Sequence, residues 1–434
     1  MINATQSAVG SQAEHLTLSL LYQLIIIFVV SRIVVWFSQR YLKQTPVAGE
    51  ILAGLVLGPS LLGAFFPEFM HAIFVPETTP IFIGVAQLGL ILLMFEIGLE
   101  FEFKSKLQGS RWTIIVISIV GIVVPFTMGF FSAAWFWEKM AEPRPSLFSF
   151  QLFFATAMSI TAIPILGRIF IELGVSNTRT AALTIGAAAI DDVVGWVLLG
   201  VVSTLVVHHF NPMKLAGNMA ILLVYLVVIF TVVRPMLIKY IQHRIRKDKG
   251  LSLQTMSVVL IALLVSAAFT SWLGIFAIIG GFIIGVALHE QRNFVELWRL
   301  RVGGLVTTLL LPIFFAYTGL RTDIGTLASS DAIIQCVLVC LIAFAGKFGG
   351  AYIACRLLGE SRRESLAVGV CMNTRALMEL IVLNIGYDLG VLPKQMFSML
   401  VIMAIVSTFM ATPLIRWLMV AKEDDSTSTE NRAA

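Results

Sequence analysis

Asp191 and Asp192 stand side by side in an apolar stretch, Thr180 to Val207, that carries no other charge. At about 1.5 Å per residue, a helix of roughly 28 residues crosses a bilayer with some tilt. One aspartate at the centre of such a helix costs about 3 kcal/mol on insertion scales, and here the cost falls on two adjacent positions. A pair kept only to glue helices together has no need of two acids. Carboxylates at that depth suit a site for a cation, a proton, or both in turn.

Other polar residues fall at similar depth. Lys347, in Ala345-Gly346-Lys347-Phe348, sits about two and a half turns from Arg356, too deep to snorkel easily, so it needs a carboxylate partner or must give up its charge. Arg375 and Glu379 are four apart and pair along one helix face. Glu50 is nearer the end of its span, where a structural role and a role in ion access are equally open. Asp191 and Asp192 differ by about 100° around the helix and so serve different neighbours. One faces the ion and the other meets Lys347, and helix geometry leaves open which does which.

Two hydrophobic segments contain breaks. The first reads Ala157-Met158-Ser159-Ile160-Thr161-Ala162-Ile163-Pro164. A proline after hydroxyl residues opens a helix and leaves carbonyls and hydroxyls as ligands. The second reads Cys371-Met372-Asn373-Thr374-Arg375-Ala376-Leu377-Met378-Glu379. Paired interruptions in corresponding halves of a membrane chain point to a transport site. Hard monovalent cations prefer oxygen, so Ser159 and Thr161 are expected to complete a shell around the ion carboxylate, with Asn373 and Thr374 at the second break.

The elements that must position these residues are membrane helices. Hydrophobic residues make up 58% of the chain and charged residues 13%, which describes an all-α polytopic membrane protein. Apolar runs predict about thirteen spans, near 16–37, 47–66, 80–99, 112–136, 148–172, 179–207, 216–241, 252–272, 274–289, 294–319, 331–357, 362–387 and 396–420. Lysine and arginine concentrate on alternate loops, most densely in His243-Arg244-Ile245-Arg246-Lys247-Asp248-Lys249. That asymmetry places the N-terminus outside and the C-terminus in the cytoplasm.

The expected organisation is two inverted six-span repeats, 1–207 and 251–420, joined by a connector span and cytoplasmic loop at 208–250. Ala53-Gly54-Leu55-Val56-Leu57-Gly58 in the second span and Gly280-Gly281-Phe282-Ile283-Ile284-Gly285 in the ninth share small-residue spacing at equivalent places. A short polar cytoplasmic tail, 421–434, is expected to be disordered and too short for a nucleotide-binding domain. No cleavable signal peptide is expected. Cys336, Cys340, Cys355 and Cys371 read as core residues rather than a disulfide or metal set. The basic balance reflects membrane orientation rather than a nucleic-acid partner, and no cofactor is expected.

At these residues the chain resembles the monovalent cation:proton antiporters of the second cation/proton antiporter family. Ala48-Gly49-Glu50-Ile51-Leu52-Ala53-Gly54-Leu55-Val56-Leu57-Gly58-Pro59-Ser60 is similar to the family's second-span signature. Asp191-Asp192 resembles the pair of its sodium/proton members. Met372-Asn373-Thr374-Arg375-Ala376-Leu377-Met378-Glu379-Leu380-Ile381-Val382-Leu383-Asn384-Ile385-Gly386 resembles the plant-type exchangers. The resemblance implies a homodimer with a dimerisation panel and a core domain holding two broken, crossing helices. It implies exchange of Na+, K+ or Li+ for protons by an elevator-like motion. By position, Asp192 matches the essential ion-binding aspartate and so the ligand of a monovalent metal ion; Asp191 matches the aspartate that pairs with lysine, and Lys347 that lysine. Glutathione-gated potassium efflux members usually carry Gln-Asp and a large cytosolic nucleotide-binding domain, a form of regulation this sequence does not suggest.

Three other classes fit less well. A sodium-coupled organic-anion symporter shares the inverted-repeat plan but does not call for a deep lysine beside an acid. A cation channel needs no proton exchange. An intramembrane aspartyl protease needs acids from two helices and a Gly-x-Gly-Asp element, whereas Ala189-Ile190-Asp191-Asp192 lies on one helix. The expected partners are Na+ or K+, protons and membrane lipids, in a bacterial inner membrane.

Overall fold

A computed structural model describes residues 2–42, 44, 46–99, 111–161, 166–167, 169–170, 173–175, 178–207, 212–248, 250–273, 276–375 and 377–420. Pro164 lies outside them. Secondary structure among the described residues is helical throughout, as apolar runs of this length require when no water is present to satisfy backbone groups.

Among the described residues, ten helices are long and apolar enough to cross a membrane, from Glu14–Tyr41 to Lys394–Met419. The fifth, ninth and twelfth expected spans instead contain shorter helices: Leu147–Ser159, Ala277–Leu288, and the pair Arg362–Met372 and Leu377–Asp388. The difference has a local cause in the fifth and twelfth. The backbone turns extended at Ile160, after Ser159. In the twelfth, Asn373 ends one helix with ψ near 5° before the chain restarts at Leu377.

The chain divides into two compact units, each drawing on both halves of the sequence. The first comprises Met1–Glu100, Val224–Trp272 and Phe276–Gly325. Within it, Pro46–Leu57 packs on Leu311–Arg321 so closely that a Cβ at Gly54 would overlap the Phe315 carbonyl, and one at Gly58 the Gly319 carbonyl. Ala277–Leu288 packs on Thr79–Leu99 in the same manner, Gly281 against Ile91 and Gly285 against Phe95. Small residues allow backbones to touch where lipid offers no hydrophobic drive to association. Glu50 is buried in this unit, on Pro46–Leu57.

The second unit comprises Phe101–Leu223, Leu273–Ile275 and Thr326–Ala434. It contains Arg111–Glu138, Leu147–Ser159, Arg179–Val207 and Ser330–Leu357, together with the two halves of the twelfth span and Lys394–Ile415. All four cysteines are free thiols, and Cys336, Cys355 and Cys371 are buried.

Candidate functional site

The second unit gathers the polar residues of the two breaks around the aspartate helix. Asp191 and Asp192 are each 1% exposed, and Lys347 and Arg375 are fully buried. A buried charge persists only when paired and hydrogen bonded, so the partners of each group define what the site can do.

Asp191 is fully engaged. Its Oδ2 accepts from Lys347 Nζ at 2.7 Å and from Thr161 Oγ1 at 3.0 Å. Its Oδ1 accepts from Ser118 Oγ at 2.6 Å. Each oxygen serves a different set of donors, which fixes the carboxylate plane. The sequence suggests Thr161 as a partner of Asp192; in the structure its hydroxyl lies on Asp191, with a second acceptor at the Met372 carbonyl 3.3 Å away. Ser159 contributes its main chain: its carbonyl accepts from Lys347, while its hydroxyl donates back to the Thr156 carbonyl at 2.8 Å.

Asp192 is the opposite case. Neither carboxylate oxygen has a hydrogen-bond partner among the described residues. The same holds for Asn373 Oδ1 and Thr374 Oγ1, both on buried residues of the twelfth-span break. Buried unsatisfied oxygens are rare in folded proteins, and a whole carboxylate without a donor next to a saturated one needs an explanation. A buried carboxylate is a hard oxygen donor with one formal negative charge, which suits a proton or a monovalent cation.

The broken helices are held by cations. An α-helix leaves its last carbonyls without internal donors. At the end of Leu147–Ser159, Arg375 donates to the carbonyls of Ala157 at 2.9 Å and Met158 at 2.7 Å, and Lys347 donates to that of Ser159. Positive groups at a helix C-terminus also oppose its dipole. Arg375 is balanced in turn by Glu379, with Nη1 3.1 Å from Oε2. The fifth-span break is therefore closed by side chains from the eleventh and twelfth spans.

Sequence reasoning missed Ser118 and the Gly121 carbonyl, which accepts from Lys347 at 2.9 Å. A signal was present: Pro125 stands four residues after Gly121 inside an otherwise regular helix. Glu50 lies in the other unit.

Adjacent buried acids, a buried lysine on one of them, and broken helices within a bundle of apolar helices define an ion-handling membrane transporter, not an enzyme. The family described as "Sodium/hydrogen exchanger, transmembrane" matches residues 24–421, and the chain belongs to it. It is 37% identical over 399 residues to the Na(+)/H(+) antiporter NhaS4 of Synechocystis, covering 92% of this chain and 96% of that one. It is 34% identical to cation/H(+) antiporter 17 of Arabidopsis thaliana and 32% identical to K(+)/H(+) antiporter 1 of Saccharomyces cerevisiae. In both cases 93% of this chain is covered, but only 48% and 46% of those longer proteins. The solved structure of the sodium proton antiporter MjNhaP1 from Methanocaldococcus jannaschii has the same fold, with a TM-score of 0.64, 16% identity, and coverage of 92% of this chain and 96% of that one.

Proposed function

We propose that this protein exchanges a monovalent cation for protons across the membrane, with Asp192 as the carboxylate that takes each in turn. The observation that carries the reading is the contrast within the pair: among the described residues Asp191 is saturated with donors, while Asp192 has two buried oxygens with none. A proton neutralises that carboxylate by bonding to it, and a cation by coordination. The two states exclude one another, which is the condition for exchange. Asn373 and Thr374 offer further oxygens for the cation, and the Ser159–Thr161 break holds Asp191 and Lys347 in place. Arg375 and Glu379 brace that break.

Both Na+ and K+ are candidate substrates, since the relatives' names divide between the two; Li+ is a further one. The proposed cycle is elevator-like. In support, every residue of the candidate site belongs to one compact unit, the proposed core, which leaves the other as a panel on which two copies dimerise.

The proposed architecture is thirteen crossings in two inverted repeats, 1–207 and 251–420. The glycine packing supports it, because the second span meets the tenth just as the ninth meets the third. Each contact joins the second element of one repeat to the third of the other. The N-terminus then lies outside, the C-terminus in the cytoplasm, and the membrane is a bacterial inner membrane.

The test is proton flux in proteoliposomes while Na+, K+ and Li+ are added in turn, with membrane potential clamped or free. Cation-driven proton movement that disappears in Asp192→Asn is the expected result. Cation flux that persists without proton countermovement would favour a channel, and flux dependent on an organic anion would favour a symporter.

A further inference from the structure

A second polar site lies within the first unit, where the Thr79–Leu99 helix meets the start of the Arg292–Arg321 span. Trp298, Arg299, Gly303, Gly304 and Thr307 line a cavity of about 300 Å³ there, together with Glu96. The local sequence explains the hollow. Gly303-Gly304 supplies no side chains, and the turns on either side, Arg299–Gly303 and Val306–Leu310, are π-helical, a widened form that recurs at functional sites. A Cβ on Gly303 would lie 3.2 Å from Glu96 Oε1 and 3.4 Å from Arg299 Cγ, so its absence lets both charged side chains share the wall. A Cβ on Gly304 would meet no atom within 4 Å. Thr307 donates its hydroxyl to the Gly303 carbonyl at 2.8 Å.

Trp298 brings a donor without an acceptor. It is 1% exposed and held edge-on against Phe95, ring centroids 4.8 Å apart, with Phe294 at 5.8 Å. Its indole N–H has no partner among the described residues, and a buried N–H calls for an oxygen. Trp298 stands within about two turns of the start of its span, the depth at which tryptophan meets lipid head groups. Beside the cavity, Leu300 and Leu305 are 81% and 54% exposed, an apolar flank open to acyl chains. We propose that the cavity holds the head group of a zwitterionic aminophospholipid, of the phosphatidylethanolamine class. Its phosphate oxygens take the Trp298 N–H and the Arg299 guanidinium, its ammonium faces the Glu96 carboxylate, and its chains run along Leu300 and Leu305. An anion alone would face Glu96 and a cation alone Arg299, whereas a zwitterion complements both. A primary ammonium also donates hydrogen bonds to a carboxylate, which a quaternary one cannot do. The lipid bridges the third and tenth spans and stabilises the first unit without taking part in ion binding.

The experiment is thermal unfolding of the full-length protein, delipidated in detergent, with lipids added back. Phosphatidylethanolamine raises the melting temperature by about 5 °C at a hundredfold excess over Kd. Phosphatidylcholine and phosphatidic acid with the same chains give clearly smaller shifts, and soluble phosphoethanolamine gives none. Gly304→Leu fills the cavity from a position that meets no protein atom, so it melts as wild type does without lipid and loses the response. Trp298→Phe keeps a ring, removes the N–H and weakens binding about tenfold; it decides the matter alone if Gly304→Leu melts low. Equal shifts with all three lipids, or a full response in the variants, overturn the site in favour of ordinary solvation of the apolar surface. A full shift with phosphatidic acid makes it an anion site, and one with soluble phosphoethanolamine a small-solute site; either overturns the lipid assignment. Unfolding is read rather than flux, so each outcome stands apart from the exchange reading.

Discussion

Asp191 and Asp192 are adjacent and equally buried, yet among the described residues Asp191 accepts three side-chain hydrogen bonds and Asp192 accepts none. The helix accounts for this division: a rotation of about 100° between neighbours turns one acid toward Lys347 and Ser118 and the other away. Sequence adjacency therefore gives two different chemical groups, one fixed and one available.

Asp192→Asn keeps the side-chain volume and removes the charge. Exchange should fall below detection, and because no donor among the described residues is lost, the melting temperature should hold or rise. A purified variant that folds and still moves protons in response to cations would exclude Asp192 as the shared carboxylate.

Asp191→Asn and Lys347→Met each strand a buried partner, at a cost of about 3–5 kcal/mol. The double variant removes both charges and should regain part of the loss. A double-mutant cycle on thermal or chemical unfolding reads the coupling directly, and strictly additive losses would argue against a strong pair.

Arg375→Lys preserves the charge but not the planar fork that reaches two carbonyls and Glu379. An ammonium cannot reproduce that geometry. The expected loss is about 2–4 kcal/mol in stability, from carbonyls and a carboxylate left short of donors, with a matching drop in exchange rate. Retention of wild-type melting by Arg375→Lys would show that the break holds itself without the guanidinium.

Gly54→Val tests the packing of the first unit. Any Cβ at this position meets the Phe315 carbonyl oxygen, which belongs to rigid backbone rather than a flexible side chain. Overpacking of this kind costs about 1–3 kcal/mol or more, so the variant should express poorly or melt well below wild type. Conversely, Gly84→Ala places its Cβ in open space and should be tolerated.

Much of the site is legible from sequence because charge inside an apolar run is conspicuous: Asp191, Asp192, Lys347 and the Arg375–Glu379 pair stand out against their neighbours. The breaks at Ser159 and Asn373 are legible too, from hydroxyl and amide residues at mid-span. Ser118 is not, since a lone serine in a membrane helix costs little and carries no period of its own. The partner of Thr161 is equally hidden, because its choice between two adjacent aspartates depends on helix rotation. Contacts such as Arg375 with the Ala157 carbonyl join positions 218 residues apart, and no local pattern encodes them. The fifth, ninth and twelfth spans hold shorter helices than the others, and at the fifth and twelfth the same polar residues that mark the site also stop the helix.

The closing of the fifth-span break by Lys347 and Arg375 bears on how the protein is made. Synthesis runs from the N-terminus, so the carbonyls of Ala157, Met158 and Ser159 and the carboxylate of Asp191 enter the translocation machinery long before the side chains that satisfy them. Until the last quarter of the chain emerges, the newborn N-terminal half holds a frayed helix end and an uncompensated acid. Water, lipid headgroups or an insertase must shelter those groups in the interval.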